Sequence, residues 1–173
     1  IYEIVSNFMK DKKLNKSDIY QIVQIFDMDG AYIPNDNVIE DLSITDTYYS
    51  LTEIRTNNKP GIEDRNQRKS ANINKLCNCK DIWTLPYRVF YMSCNLDHVL
   101  YNKLNSSDFE KEHDSYEFAL KYKNDIQGFI DYLSKSDFSV TNNYKDSWEY
   151  IKKALHSLER HTNLAICFQE ASE

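Results

Sequence analysis

Two carboxylates stand one residue apart at the end of an apolar run, a spacing that could bind a cation. Asp27 and Asp29 follow the β-branched and aromatic run at 22–26 and precede Gly30. Residues two apart in a strand point to the same side, so these side chains should lie close together. Neighbouring carboxylates repel each other unless a cation or a shared proton accompanies them. The pair therefore predicts a site for a hard divalent ion, although Asp and Gly also close strands in ordinary turns.

A second polar cluster follows a second apolar run. Residues 93–98 read Ser-Cys-Asn-Leu-Asp-His, directly after the run at 88–92. If both runs are strands of one sheet, Asp97 could reach the edge that carries Asp27 and Asp29. Alternatively, Asp97 is an acid favoured by the dipole of a helix start, and His98 is a surface histidine. The sequence places no base beside Ser93 or Cys94, so neither is expected to be a nucleophile.

Basic residues are concentrated in the middle of an acidic chain. The net charge is −6, yet residues 55–88 carry eight basic and three acidic groups. Arg65, Arg68 and Lys69 follow one another at helical spacing and share one helix face. Guanidinium groups bind phosphate in a bidentate manner, so this face could hold a nucleic-acid backbone beside the carboxylates. The alternative is an ordinary solvated helix face.

These candidate residues need strands and helices to bring them together. Apolar residues at 1, 4, 5, 8 and 9 predict an amphipathic helix, and a buried strand follows over about 19–26. Parallel strands are joined by crossover helices, so a helix leading into a strand implies an earlier strand before Ile1. Further along, the patterns predict a helix over 63–77, with Ala71, Ile73 and Leu76 facing inward, and a strand over 88–94. Two helices follow, one from Asn95 and one from Asp114, where Glu117 completes the cap. The last predicted elements are a helix over 146–160 and a short strand over 162–168.

Residues 37–60 are polar and without clear periodicity. A stretch of this length is either a functional loop or a series of short elements, and the sequence leaves both open. The 173 residues suggest one domain, with the composition of a soluble globular protein. No apolar run approaches a membrane span, and four cysteines without zinc-site spacing indicate reduced thiols in a cytoplasmic protein.

Residues 26–30 (FDMDG) resemble the first motif of the haloacid-dehalogenase-type (HAD-like) phosphatases. That resemblance implies that Asp27 is a nucleophile and Asp29 an acid/base in the hydrolysis of a phosphoester. Ala31 stands where this family has threonine, and no later Gly-Asp-x-x-x-Asp strand end follows. The family also places the motif on its first strand, without a helix in front.

A broader stretch, over most of residues 18–104, resembles the Toprim domain of the RloB-like proteins and of the nucleases of the overcoming-lysogenization-defect group. Asp27 and Asp29 match the family's Asp-x-Asp, residues 68–76 are similar to its basic helix, and residues 91–100 are similar to its strand with a following acid, with Asp97 in the acid's place. The family's glutamate after the first strand would precede Ile1, unless Glu3 stands in for it.

The Toprim resemblance implies a specific fold and activity. It implies a Toprim-like, Rossmann-like α/β fold with a mostly parallel sheet flanked by helices, spanning 1–173 as one domain that lacks its natural N-terminal strand. It further implies a nuclease that uses Mg²⁺ or Mn²⁺ bound by Asp27, Asp29 and Asp97, with nucleic acid held by Arg65, Arg68 and Lys69. A role in phage defence and a partner ATPase would follow. The phosphatase and a non-catalytic interaction domain with a degenerate site are the alternatives.

Overall fold

The computed structural model describes residues 1–170 as a mixed α/β fold. Within these residues the α-helices are α1 (Tyr2–Lys12), α2 (Lys59–Leu76), α3 (Leu96–Tyr101), α4 (Asp108–Tyr122), α5 (Ile126–Lys135), α6 (Tyr144–Ile151) and α7 (Ala165–Glu170). The strands of the same part of the chain are β1 (Ile22–Asp27), β2 (Val38–Glu40), β3 (Tyr48–Tyr49), β4 (Ile54–Thr56), β5 (Asp81–Ile82) and β6 (Leu85–Met92).

The strands form two small mixed sheets. In the first sheet β6 lies between β1, its parallel neighbour, and β5, its antiparallel hairpin partner. In the second sheet β4 pairs in parallel with β2 and antiparallel with β3. The α/β class is therefore confirmed, but the expected single, mostly parallel sheet is not what the chain forms. Residues 37–60 supply the second sheet, which settles the choice between a loop and short elements.

The core is built on both faces of β6, whose side chains alternate between them. On one face the buried residues Tyr87, Val89 and Tyr91 pack with Ile73 of α2 and with two residues of α6, Trp148 and Ile151. On the other face a second cluster covers the strand with residues of α3, α5, α7 and the segments between them; its buried members are Phe90, Met92, Val99, Leu133, Phe138, Leu164, Ala165 and Ile166. β6 is thus the central strand of the fold.

β1 is less well covered than β6 because it is an edge strand. Its side chains at Ile22 and Phe26 pack against the first core, whereas Val23 and Ile25 on the opposite face are exposed. The predicted amphipathic helix α1 forms, but of its apolar stripe only Met9 is buried, and Ile4 and Phe8 are exposed. The periodicity predicted the helix correctly, although little of the described chain packs on its apolar side.

Two helix starts differ from the predictions because other caps are used. α2 begins at Lys59 rather than 63, since the Asn58 side chain accepts a hydrogen bond of 3.0 Å from the backbone N–H of Gly61. The helix predicted to begin at Asp114 begins at Asp108, where Ser107 and Glu110 form a capping box. The helix ends at Tyr122, and α5 follows it from Ile126. In α2, Ile73 is buried as predicted, but Ala71 is exposed.

The C-terminal part also departs from the predicted elements. The helix predicted over 146–160 ends at Ile151, and turns follow it. The predicted strand over 162–168 is wrong: Thr162 makes single bridges to Met92 and Ser139, and α7 begins three residues later. In the part of the chain that the structure describes, no helix combines the length and apolar character needed to cross a membrane.

Candidate functional site

The Asp27/Asp29 pair lies where β1 ends beside β6. Asp27 is level with Met92 in the parallel register, and the chain then continues along β6 through two backbone hydrogen bonds, Met28 N to Met92 O (2.9 Å) and Asp29 N to Cys94 O (2.7 Å). Met28, between the two aspartates, is fully buried and packs in the first core cluster, which anchors the turn. Both carboxylates, one on either side of it, remain partly exposed.

The turn after Asp27 is left-handed, so the two aspartates do not lie on one strand as predicted. Asp29 has φ 49° and Gly30 has φ 67°. A Cβ atom at Gly30 would lie 2.7 Å from Leu158 Cδ2 and 3.0 Å from Ile54 Cδ1. Glycine is therefore required here both by the backbone conformation and by the close approach of the 152–163 segment.

Asp27 is the most perturbed carboxylate of this site. Burial raises its pKa to about 6, and the nearby negative charges of Asp29 and, more weakly, Asp97 act in the same direction. Lys69 and a hydrogen bond from the backbone N–H of Leu96 oppose the shift. The raised pKa means that the charged form of Asp27 is not fully compensated by nearby positive charge.

Asp29 is paired with α2. Its carboxylate forms an ion pair with Lys69, in which both side chains are partly buried. Arg65, one turn earlier on the helix, donates a hydrogen bond of 2.8 Å to the backbone carbonyl of Asp29. α2 therefore contacts the turn twice: Lys69 binds the Asp29 side chain, and Arg65 binds the Asp29 backbone carbonyl.

Arg65 is fully engaged within the protein. Besides the Asp29 carbonyl, it donates to the Tyr49 hydroxyl (2.6 Å) and to the Asn66 side-chain oxygen (2.8 Å). Its role is to join α2, the second sheet and the Asp27–Gly30 turn. Tyr49 was missed by the sequence reasoning because it lies in the stretch where no element was placed.

Arg68 differs from Arg65 and Lys69 because it points to solvent. Its only described ion pair is with Asp64, at 2.8 Å, and both side chains are well exposed. All three basic residues nevertheless border one shallow cleft of about 390 Å³ between β1 and α2, whose other lining residues are Gln24, Phe26, Asn72, Ile73 and Leu76. The structure thus brings the predicted basic face alongside the aspartate turn.

The residues that follow β6 have structural roles. The Ser93 hydroxyl donates to the carbonyl of Glu159 and accepts from the backbone N–H of His161. Cys94 is fully buried, and burial together with the nearby aspartates raises its pKa to about 12. His98 is also buried, and burial lowers its pKa to about 4, so its imidazole is neutral near pH 7. None of these side chains faces the aspartate turn as an available nucleophile or base.

Asp97 lies in a different cleft from the aspartate pair. Asn95 caps α3 as predicted, accepting from the backbone N–H of His98 at 2.8 Å. Asp97 then lines an acidic cleft of about 700 Å³ with residues 46–49, 104–108, 110 and 111, and burial raises its pKa. Among residues 1–170, no group of three or more His, Cys, Asp or Glu side chains is arranged to hold a metal ion. The three predicted carboxylates are not assembled into one ligand set.

Glu3 cannot replace the glutamate that the Toprim resemblance implies. It is exposed in the first turn of α1, where the neighbouring Tyr2 contacts the Trp83 ring at 4.3 Å between centroids. Trp83 belongs to the hairpin turn that precedes β6, at the opposite end of the strand from Met92. Eight strand residues separate the two ends by roughly 25 Å.

Comparisons with known proteins assign no family to the chain. No protein-family model, no curated protein and no solved structure matches it.

Proposed function

We propose that this chain is a metal-dependent nuclease-like domain that acts on nucleic-acid phosphodiesters. The observation that carries the proposal is the Asp27/Asp29 turn at the end of β1, where burial and mutual repulsion raise the pKa of Asp27 to about 6. A bound cation would reduce the repulsion between the two carboxylates and stabilise their charged forms. The adjoining cleft, bordered by Arg65, Arg68 and Lys69, offers positive charge where a phosphate backbone would lie.

The two aspartates fit Mg²⁺ or Mn²⁺ as a partial ligand set. Mg²⁺ commonly binds through one or two carboxylates and completes its coordination with water and substrate phosphate oxygens. Asp27 and Asp29 would hold the ion, which supplies an activated water and charge stabilisation on the phosphate. Asp97 stays outside this ligand set and adds negative charge from the neighbouring cleft.

The three basic residues have different tasks in this proposal. Arg68 is exposed and bound only to an exposed acid, so it is the residue that is available to a phosphate group. Lys69 neutralises Asp29 in the free protein and can turn to a phosphate once a cation takes over that carboxylate. Arg65 keeps the turn in place through its contact with the Asp29 carbonyl.

The test is cleavage of single- and double-stranded DNA and RNA with Mg²⁺ or Mn²⁺. We expect metal-dependent cleavage that Asp27→Asn lowers by more than about a hundredfold, because metal-assisted charge stabilisation amounts to several kcal/mol. The matched control is Asp11→Asn, an exposed acid on α1. Binding of nucleic acid should weaken steeply with salt, and Arg68→Ala should weaken it.

Two other outcomes would replace this proposal. A phosphoryl group or fluoroberyllate trapped on Asp27 would indicate a HAD-like phosphatase, since the proposed cleavage forms no aspartyl phosphate. Absence of divalent-ion binding in calorimetry at millimolar Mg²⁺ or Mn²⁺ would indicate an interaction domain with a degenerate site.

The biological setting of the proposal comes from the Toprim resemblance of residues 18–104. The resemblance implies a cytoplasmic domain that acts in phage defence with a partner ATPase. Phage challenge of cells that carry the wild-type protein or Asp27→Asn tests this setting. Protection that needs Asp27 supports it, and equal plaque counts for both proteins contradict it.

A further inference from the structure

The cleft between β1 and α2 is lined by two kinds of side chain. Besides its cations, it is lined by two amides, one aromatic ring and two aliphatic side chains: Gln24, Asn72, Phe26, Ile73 and Leu76. A phosphate group accounts for the cations, but these five residues offer it no positive charge. A ligand that fills the whole cleft must therefore carry an uncharged, flat or apolar group next to its phosphate.

Phe26 offers such a group an aromatic surface that the core holds in place. Its ring packs against the first core cluster and lies 5.8 Å from the Trp148 ring, between centroids. The side chain is nevertheless only partly buried, and it lines the cleft. An aromatic ring presented in this way can stack on a nucleobase, because every base has a flat π face.

The two amides offer hydrogen bonds to the edge of a base. The Oε1 atom of Gln24 accepts a hydrogen bond of 2.6 Å from the Tyr87 hydroxyl, which orients that amide. Within residues 1–170, the Nε2 group of Gln24 and the side-chain amide of Asn72 have no hydrogen-bond partner. Amide side chains pair with base edges through donors and acceptors of this kind.

The position of the cleft requires the base to be unpaired. Phe26 directly precedes Asp27, and Lys69 forms the ion pair with Asp29, so the cleft adjoins the aspartate turn. A strand with a phosphate at the aspartates can place an adjacent base in the cleft. In a duplex the faces of the bases are covered by their stacked neighbours, so only an unstacked base can lie on Phe26.

We propose that Gln24, Phe26 and Asn72 form a base site for one unpaired base, and that the substrate class is single-stranded nucleic acid. This inference rests on the proposed nuclease function, because it assigns the substrate of the same site. Phe26 stacks on the base, the two amides contact its edge, and Arg68 binds a neighbouring phosphate. A free mononucleotide carries the same base and phosphate, so the experiment compares both sources.

Binding is measured by fluorescence anisotropy with the intact protein at one salt concentration and without divalent ions, so that cleavage does not interfere. The probes are a single strand of about ten nucleotides, its duplex, an abasic strand with the same phosphates and a mononucleotide as competitor. We expect the single strand to bind at least about tenfold more tightly than the other three, because stacking on one aromatic ring alone corresponds to about tenfold or more.

Two variants assign the preference to the base site. Phe26→Leu keeps an apolar side chain at the core but removes the ring, so it should weaken binding of the single strand about tenfold and leave the abasic strand unchanged. Asn72→Ala changes an exposed side chain and should weaken the single strand about threefold with an unchanged circular dichroism spectrum. The matched controls are Phe109→Leu and Asn124→Ala, at exposed residues that do not line the cleft.

The outcomes separate this inference from the nuclease proposal. Equal affinity for the single and the abasic strand, equal losses for both in Phe26→Leu, or no binding of any probe would overturn the base site. A duplex bound and cut as well as the single strand would overturn the substrate class but leave the nuclease proposal intact. A mononucleotide bound as tightly as the strand would replace the polymer by a free nucleotide. Selective single-strand binding without metal-dependent cleavage would support the base site and contradict the nuclease.

Discussion

The two parallel strands β1 and β6 end side by side, but different groups cover the two ends. After β1, Asp27 and Asp29 stay partly exposed and are met by long cationic side chains from α2. After β6, Ser93 and Cys94 are fully buried, and their backbone N–H groups donate to the carbonyls of His161 and Ser157. One end is contacted by charged side chains, the other by backbone groups.

The difference shows that a position at a strand end does not by itself make a site. Both ends lie at the edge where α/β proteins bind ligands. The end of β6 is occupied by the 152–163 segment, whose hydrogen bonds leave no room for a ligand. The end of β1 is contacted by Lys69, whose partly exposed ion pair with Asp29 a ligand can replace, and by Arg65, which stays bound to the turn. The covering segment therefore decides which of the two ends stays open to a ligand.

The largest loss of stability is expected when the hydrogen bonds that attach the C-terminal segment to β6 are removed. Asn163 is buried, accepts from the backbone N–H of Tyr91 (2.9 Å) and donates to the Ser147 hydroxyl (2.9 Å). Asn163→Ala should lower the free energy of unfolding by about 3 kcal/mol, because it leaves the buried Tyr91 N–H without its acceptor and removes one of the two hydrogen bonds of the Ser147 hydroxyl, which keeps its bond to the Tyr144 carbonyl. Urea unfolding measures this, with the exposed Asn124→Ala as control; equal losses for both variants would contradict it.

The next effect is expected at Gly30, where the two ends meet. Gly30→Ala should cost about 2 kcal/mol, since it combines a left-handed backbone with a contact of 2.7 Å to Leu158. Leu158→Ala also destabilises the protein, but it removes the contact. In a double-mutant cycle the combined variant should therefore lose less than the sum of the two single losses, and strict additivity would show that the contact is unimportant.

A smaller, pH-dependent effect is expected at the β1 end. The pKa of Asp27 in the folded protein is about 6, above its ordinary value of 3.8, so ionisation of Asp27 destabilises the fold as the pH rises through about 6. Asp27→Asn should raise the free energy of unfolding by about 1 kcal/mol near pH 8, after allowance for solvent screening. The gain should disappear near pH 4, and Asp11→Asn should show no such trend.

The smallest effect on stability is expected at Arg68. Because Arg68 and Asp64 are both well exposed, Arg68→Ala should change the free energy of unfolding by less than about 0.5 kcal/mol. If the proposed phosphate contact exists, the same variant should reduce the slope of nucleic-acid affinity against salt by about one. An unchanged slope would remove Arg68 from the binding surface.

The sequence predicts β1 and β6 because the patterns that indicate them involve residues adjacent in the chain. The apolar runs of β1 and β6 and the Asn95 cap depend on residues adjacent in the chain. The same holds for α2, although its start is four residues earlier than predicted, because Asn58, Pro60 and Gly61 are typical both of a chain break and of a helix start. For α4 the sequence contains two candidate starts, Ser107 with Glu110 and Asp114 with Glu117, and the chain uses the first.

Other features could not be predicted because their causes are distant in sequence. The second sheet uses strands of two or three residues, too short for any periodicity. The burial of Ser93 and Cys94 depends on partners more than sixty residues away. Asp97 lines a cleft that includes neither Asp27 nor Asp29, although the backbone N–H of the preceding Leu96 donates to Asp27; spacing along the chain does not specify this difference.

The position of β6 has a consequence for how the chain folds. Its neighbours are 63 residues before it, as between Gln24 and Tyr87, and 72 residues after it, as between Tyr91 and Asn163. Such long loops must close before the contacts can compensate for the lost chain entropy, so folding should be slow and late in synthesis. Leu158 of the C-terminal segment packs against Gly30 of the aspartate turn, so we expect the turn to reach its final form only after that segment has docked.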